Sequence, residues 1–346
     1  MKPLRLPDGP ALRILIVRLS AIGDAVHGMP VLCALRDRFP EARIAWVVES
    51  RAAALLRGHA ALDQLIELPR GWLKSLKTVR RLRRDLRAFR PDVAIDMQGL
   101  TKSAIVARLS GAKCRIGFGD EKGRELSRWF YNVKVPAPAE HVIDANLQLL
   151  GPLGIEKPTD VRFEIPEHEP DAAMADRTVD ELGWSGKDFA IINPGAGWSS
   201  KVWPAERFAE VAARLGAELE LPTLVVWAGK QEQQWAETIV AGSNGHATLA
   251  PPTSLTELAA LSRRARLFIG SDTGPLHIAA GVGTSCVGLY GPMPAERNGP
   301  YGSGHVAIQK ARFEGTSRER RTASPALMEA ITVDDVVEAC RRVLEK

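Results

Sequence analysis

Short apolar runs alternate along this chain with longer segments whose apolar residues recur every three or four positions. That is the pattern of buried strands separated by amphipathic helices. In the first half the strand-like runs are residues 14–17, 44–48, 64–68, 93–97 and 114–117. In the second half they are residues 189–193, 223–227, 247–249, 267–270 and 286–290. One grammar used twice predicts two doubly wound α/β domains with a cleft between them. The Pro- and Gly-rich stretch 135–170 holds one helical piece, 142–150, and places the interdomain linker at 164–170. The expected division is residues 1–165, 166–325 and a terminal helix within 326–346. Val336, Val337, Cys340, Val343 and Leu344 share one face of that helix, which is expected to pack back onto the first domain.

In open α/β sheets ligands sit at the carboxyl ends of the strands, so the polar elbows after the apolar runs are the candidate sites. There are four: residues 18–24, 98–103, 193–201 and 271–277. The last, Ser-Asp-Thr-Gly-Pro-Leu-His, follows an apolar run and opens a helix, a layout that aims unpaired N–H groups and the positive helix end at an anion. It serves equally as a plain helix cap. The first elbow lacks the G-x-G-x-x-G dinucleotide fingerprint, which disfavours a nicotinamide oxidoreductase. It carries instead Asp24, either a helix cap or a general base reaching for a hydroxyl proton. In the third elbow Ala196 and Gly197 allow close approach of a ligand and Lys201 supplies a cation. Glu232, one turn beyond the strand that ends at Trp227, is placed either to hold a ribose diol or to face solvent. His277 either meets phosphate or satisfies the local backbone.

Composition narrows the class further. The chain has 346 residues, 45% hydrophobic and 25% charged, which suits a globular protein of two cores. Cys33, Cys114, Cys286 and Cys340 are scattered without a C-x-x-C pair, which suits a reducing, cytoplasmic compartment. The polar start at residues 1–10 and the broken apolar run after it predict neither a signal peptide nor a membrane span. No H-E-x-x-H, D-x-D or His/Cys cluster supports a metal, and the G-x-S-x-G elbow and Walker loop are missing. Hydrolase and kinase readings lose ground. The net charge of +5 favours anionic partners. Residues 70–90, RGWLKSLKTVRRLRRDLRAFR, carry Arg and Lys throughout against one acid, with Leu76, Val79, Leu82, Leu86 and Phe89 at helical spacing. That basic helix is either solvated or a patch for phosphates and anionic membrane. No nucleic-acid signature accompanies it.

The stretches RILIVRLSAIGDAVHGMPVLCALRDRFPEARIAWVVE, DVAIDMQGLTKSA, NPGAGWSSKVWP and FIGSDTGPLHIAAGVGTSCVGLYGP, with the later PYG, occur in that order over most of residues 12–302. Together they resemble the bacterial ADP-heptose:lipopolysaccharide heptosyltransferases, glycosyltransferase family 9. QGLTKSA, the basic run near Arg70 and RELSRWFYN look most like the heptosyltransferase I branch, which adds heptose to Kdo on lipid A. The resemblance implies a GT-B fold of two Rossmann-like domains facing an interdomain cleft, with acceptor on the first, ADP-heptose on the second and no metal or other cofactor. It implies that Asp24 is the catalytic base and that Lys201 meets the donor diphosphate. Ala196, Gly197, Glu232, Asp272, Thr273, Gly274, Leu276 and His277 would contact the donor. Arg70, Lys74, Gln98, Lys102 and Arg124 would contact the phosphates and carboxylates of the acceptor. Gly197 stands where type I relatives can carry a hydroxyl residue. The enzyme implied is an inverting transferase, cytoplasmic and peripheral on the anionic inner membrane face. A relative with another nucleotide sugar or acceptor and a non-catalytic nucleotide-binding module are the rivals, and Asp24 argues against the second.

Overall fold

The structure is a computed structural model that describes residues 12–316 and 318–345. The polar start at 1–10, read above as neither leader nor span, lies outside them. The chain divides into two units, Met1–Pro166 and Glu167–Lys346.

The first unit runs β1 (Arg13–Val17), α1 (Ile22–Val26), α2 (Met29–Arg38), β2 (Arg43–Glu49), α3 (Ser50–Ala53), β3 (Gln64–Leu68) and α4 (Leu76–Phe89). It continues with β4 (Val93–Asp96), α5 (Thr101–Ser110), β5 (Cys114–Phe118), β6 (Val133–Val135) and α6 (Val142–Gln148). Its six parallel strands lie in the order β3-β2-β1-β4-β5-β6. β1 pairs β4 from Ile14 with Val93 to Val17 with Asp96. The continuous apolar spelling of β1 follows from burial on both sheet faces: Ile14, Leu15, Ile16 and Val17 are all fully buried.

The second unit runs α7 (Glu169–Glu181), β7 (Ala190–Asn193), α8 (Ala205–Leu219), β8 (Thr223–Val225), α9 (Gly229–Gly242), β9 (Ala247–Leu249) and α10 (Leu255–Arg264). It continues with β10 (Leu267–Ser271), α11 (Gly274–Gly281), β11 (Ser285–Tyr290), α12 (Ala295–Asn298), β12 (Val306–Gln309), α13 (Ala326–Glu329) and α14 (Val333–Leu344). The strand order β12-β11-β10-β7-β8-β9 is the same doubly wound topology counted from its own first strand. Each sheet therefore reverses direction beside its first strand, between β1 and β4 and between β7 and β10. All four polar elbows leave the carboxyl ends of those four strands.

Several expectations need correction. β6 and β12 escape the apolar pattern because they are edge strands of three and four residues, spelled VKV and VAIQ. β4 stops at Asp96 and β8 at Val225, each short of the expected end. The basic stretch begins with a 3-10 turn, Trp72–Lys74, and α4 starts only after Ser75, whose Oγ accepts from Thr78 N–H (3.2 Å). Leu82, Leu86 and Phe89 are its buried face, whereas Leu76, expected there, stands 73% exposed.

The terminal helix is corrected too: it belongs to the second unit, not the first. α14 packs on α8, β11 and β12, burying Val336, Val337, Cys340 and Val343 in that core. Arg214 of α8 pairs with Asp334 (2.6 Å), and Glu218 with Arg341. A Thr332/Asp335 capping box starts the helix. Among the described residues no helix is long and apolar enough to cross a membrane.

Candidate functional site

In the first unit the elbow after β1 presents Asp24 from the first turn of α1. Its Oδ2 accepts from Ala21 N–H (2.9 Å), and its Oδ1 is paired with the Arg18 guanidinium. The carboxylate is fixed at both oxygens, yet its side chain stays 36% exposed. Arg18 is nearly buried; it donates from Nη1 to Met97 O, and its own carbonyl accepts from Trp46 Nε1 (3.2 Å).

The neighbouring elbow is organised by Asp96, which caps the end of β4 from inside. It is fully buried and accepts from Gln98 N–H (2.8 Å), Gly99 N–H (3.3 Å) and Tyr131 OH (2.7 Å). Burial raises its pKa, and the hydrogen bonds from Tyr131 and the elbow backbone work against that rise. Gln98 turns its Oε1 to Leu19 N–H (2.9 Å), so it is a buried strut between the two elbows. Lys102, in the first turn of α5, donates to Ser20 Oγ (3.3 Å) and pairs with Glu49 (3.1 Å). Asp24, Gln98 and Lys102 thus share the switch point. Arg124 is exposed on a loop tied there by its own N–H to Gly99 O (2.9 Å), while Arg70 and Lys74 are exposed on the connection from β3 to α4.

In the second unit Lys201 and Asp272 meet across the switch point. Lys201 Nζ donates to Asp272 Oδ2 (2.5 Å) and Asp272 O (3.2 Å), and lies 4.4 Å from the centre of the Trp198 ring. His277 Nε2 sits 3.1 Å from Asp272 Oδ1. Burial pushes the Asp272 carboxyl up, but His277 and the Lys201 charge outweigh it and hold the pKa at about 2. Thr273 is the N-cap of α11 without turning its hydroxyl onto the helix; Asn193 Nδ2 reaches that hydroxyl at 3.4 Å. The first-turn N–H groups of Gly274 and Leu276 are then available to an anion. Leu276 offers only its backbone, because its side chain is fully buried.

Glu232, in the first turn of α9, accepts from Ala228 N–H (2.8 Å), and burial raises its pKa. It packs on the glycine elbow so closely that a Cβ on Gly195 would lie 2.4 Å from its carboxyl carbon. A Cβ on exposed Gly197 meets nothing within 4 Å, so a hydroxyl side chain has room there. Ala196 is half-buried on the same elbow.

Arg18, Asp96, Tyr131 and Arg321 were not singled out by sequence reasoning. Arg321 stacks on Trp198 at 5.2 Å and adds a second cation beside Lys201. An acid ending a buried apolar run was the available signal for Asp96; the others are recognised only through partners far away in sequence.

Among the described residues one cluster has metal-ligand chemistry, Cys33, His59 and Glu164 in the first unit. The donor set fits a metal poorly. His59 Nδ1 accepts from Ala61 N–H (3.2 Å) and Nε2 faces Phe163 O (3.0 Å), so both ring nitrogens are engaged, and burial holds the Cys33 thiol up at about 12.

Residues 79–327 match the profile of glycosyltransferase family 9 (heptosyltransferase). The chain is 30% identical to lipopolysaccharide heptosyltransferase 1 of Pseudomonas aeruginosa, over 86% of this chain and 83% of that one. Among solved structures, a family 9 glycosyltransferase of Veillonella parvula superposes with a TM-score of 0.83 at 22% identity, covering 96% of this chain and 97% of that one. The E. coli heptosyltransferase WaaC, solved with ADP-2-deoxy-2-fluoro heptose, superposes with a TM-score of 0.75 at 25% identity, covering 96% and 99%. The two six-stranded parallel sheets are the Rossmann-like pair of the GT-B fold.

Proposed function

The chain belongs to glycosyltransferase family 9, the heptosyltransferases, and from that premise we propose that it moves a heptose from ADP-heptose to a Kdo hydroxyl of Kdo-lipid A, with inversion and without a metal. The observation that carries this reading is Asp24, an anchored carboxylate left open to solvent at the switch point of the first sheet. A nucleotide-binding module needs no such group.

Asp24 takes the proton of the acceptor hydroxyl as its oxygen bonds to the anomeric carbon, and the bond from that carbon to ADP breaks. Charge gathering on the departing diphosphate meets Lys201 and the start of α11, with Thr273 and Gly274 donating through backbone N–H. Asp272 orients Lys201 and contacts sugar hydroxyls, His277 supports the phosphate side, and Glu232 holds the ribose. Ala196 and Gly197 let the donor approach the backbone, and Leu276 adds an N–H. Lys102, Arg70, Lys74 and Arg124 bind acceptor anions, with Gln98 holding the elbow after β4 that leads into Lys102. The basic character of α4 and a lipid acceptor both support a peripheral position on the cytoplasmic face of the inner membrane.

A transfer assay tests this reading: ADP-heptose against a panel of UDP- and GDP-sugars, with a Kdo-bearing lipid A acceptor, read by nucleotide release and product mass. Product with ADP-heptose alone is expected. Binding of ADP-heptose without product moves the acceptor assignment elsewhere, and failure to bind it replaces the donor.

A further inference from the structure

Four large apolar side chains stand exposed among the described residues: Leu73 (45%), Leu76 (73%), Leu126 (60%) and Trp129 (84%). All four fall on one helical layer of the first unit. α4 and α5 are the crossovers from β3 to β4 and from β4 to β5, so right-handed connection puts both on the same side of the sheet. They pack together there, with Arg87 Nε donating to Leu109 O (3.1 Å). Leu73 and Leu76 flank the N-cap of α4. Leu126 sits at the start of α5, its N–H donating to Thr101 Oγ1 (3.2 Å), and Trp129 follows in a 3-10 turn, Ser127–Trp129, packed on that helix.

The same layer is cationic. Lys77, Arg80, Arg81, Arg83, Arg84 and Arg87 of α4 are exposed, and Asp85 is that helix's one acid. Exposed Leu and Trp set among Arg and Lys is the composition of a surface that enters a bilayer interface: the cations meet anionic headgroups and the apolar groups leave water. A surface for nucleic acid gains nothing from Leu76 and Leu126.

We propose that this face seats on an anionic lipid bilayer, with Trp129, Leu126, Leu76 and Leu73 entering the headgroup region. The inference rests on the reading of the acceptor as a membrane lipid. Both helices start at the carboxyl end of the sheet, where Lys102 and Asp24 lie, so docking by those helix starts brings that end to the lipid surface from which an acceptor sugar projects.

The test uses the full chain, sedimented with vesicles of phosphatidylethanolamine and phosphatidylglycerol and, separately, of phosphatidylcholine. Leu126→Ser/Trp129→Ser and Arg80→Glu/Arg83→Glu are compared with the parent. Each pair is expected to lower partitioning into the anionic vesicles by about tenfold or more. Added salt should weaken the parent and the Ser pair, and have little left to act on in the Glu pair. Brominated lipid should quench fluorescence of the parent more than that of Trp129→Phe. Transfer to a deacylated, water-soluble Kdo acceptor should be unchanged in both pairs. Failure of the parent to bind anionic vesicles, or a Ser pair that binds as the parent does, overturns the inference while leaving the transfer reading intact. Vesicle binding as expected, with no transfer to either acceptor, upholds the docking face and removes the transfer reading instead.

Discussion

Asp272 is a carboxylate kept ionised in a place that disfavours charge. Its depressed pKa, about 2 against an ordinary 3.8, is a statement about stability as well as chemistry. Because the folded value lies below the unfolded one, the contribution is fully present above about pH 4 and disappears as pH falls through about 2. The difference corresponds to about 2 kcal/mol. Asp272→Asn should therefore lose stability at neutral pH, where Lys201 is left without its anion, and show a shallower decline than the parent between pH 5 and pH 2. Urea midpoints across that range measure it, and equal slopes would remove the ion cluster from the acid response. Lys201, Asp272 and His277 were each legible as candidates because they stand in elbows after apolar runs. Their convergence was not legible, since Lys201 and Asp272 are joined across two strands that only the sheet order makes neighbours.

At the scale of elements, the central strands were readable because burial on both faces demands unbroken apolar spelling. The edge strands β6 and β12 are held by a single neighbour and need no such spelling. The amphipathic face of α14 was equally plain, but amphipathicity says that a helix docks, not where; Arg214 and Glu218 of α8 supply the address. The β4 elbow also depends on a partner outside its own segment, Tyr131, whose hydroxyl meets fully buried Asp96. Tyr131→Phe should lower the unfolding free energy by about 1–3 kcal/mol, because a buried carboxylate loses a donor and nothing replaces it. In an Asp96→Asn background the same substitution should cost measurably less. Denaturant titrations of the four-member cycle give the coupling, and strictly additive losses would mean that the two groups do not support each other.

For the whole molecule, the same topology occurs twice and each copy carries its own candidate groups at its own switch point. Asp24 accepts from Ala21 N–H and pairs with Arg18, and Lys201 donates to Asp272, so each group takes these partners from its own unit. Donor binding and proton removal should then separate under mutation. Asp24→Ala should reduce kcat by about 100-fold to 10,000-fold, the range for a positioned general base. The ADP dissociation constant should stay within about twofold of the parent, since additivity holds for groups without shared partners. Lys201→Ala should instead weaken ADP binding and slow turnover together, because in the proposed mechanism it meets the diphosphate both in the ground state and as the leaving group departs. Calorimetric ADP binding alongside initial rates for both variants decides the matter. An Asp24→Ala protein that no longer binds ADP would place that carboxylate in donor recognition, and a Lys201→Ala protein with unchanged kinetics would leave the diphosphate to the α11 backbone alone.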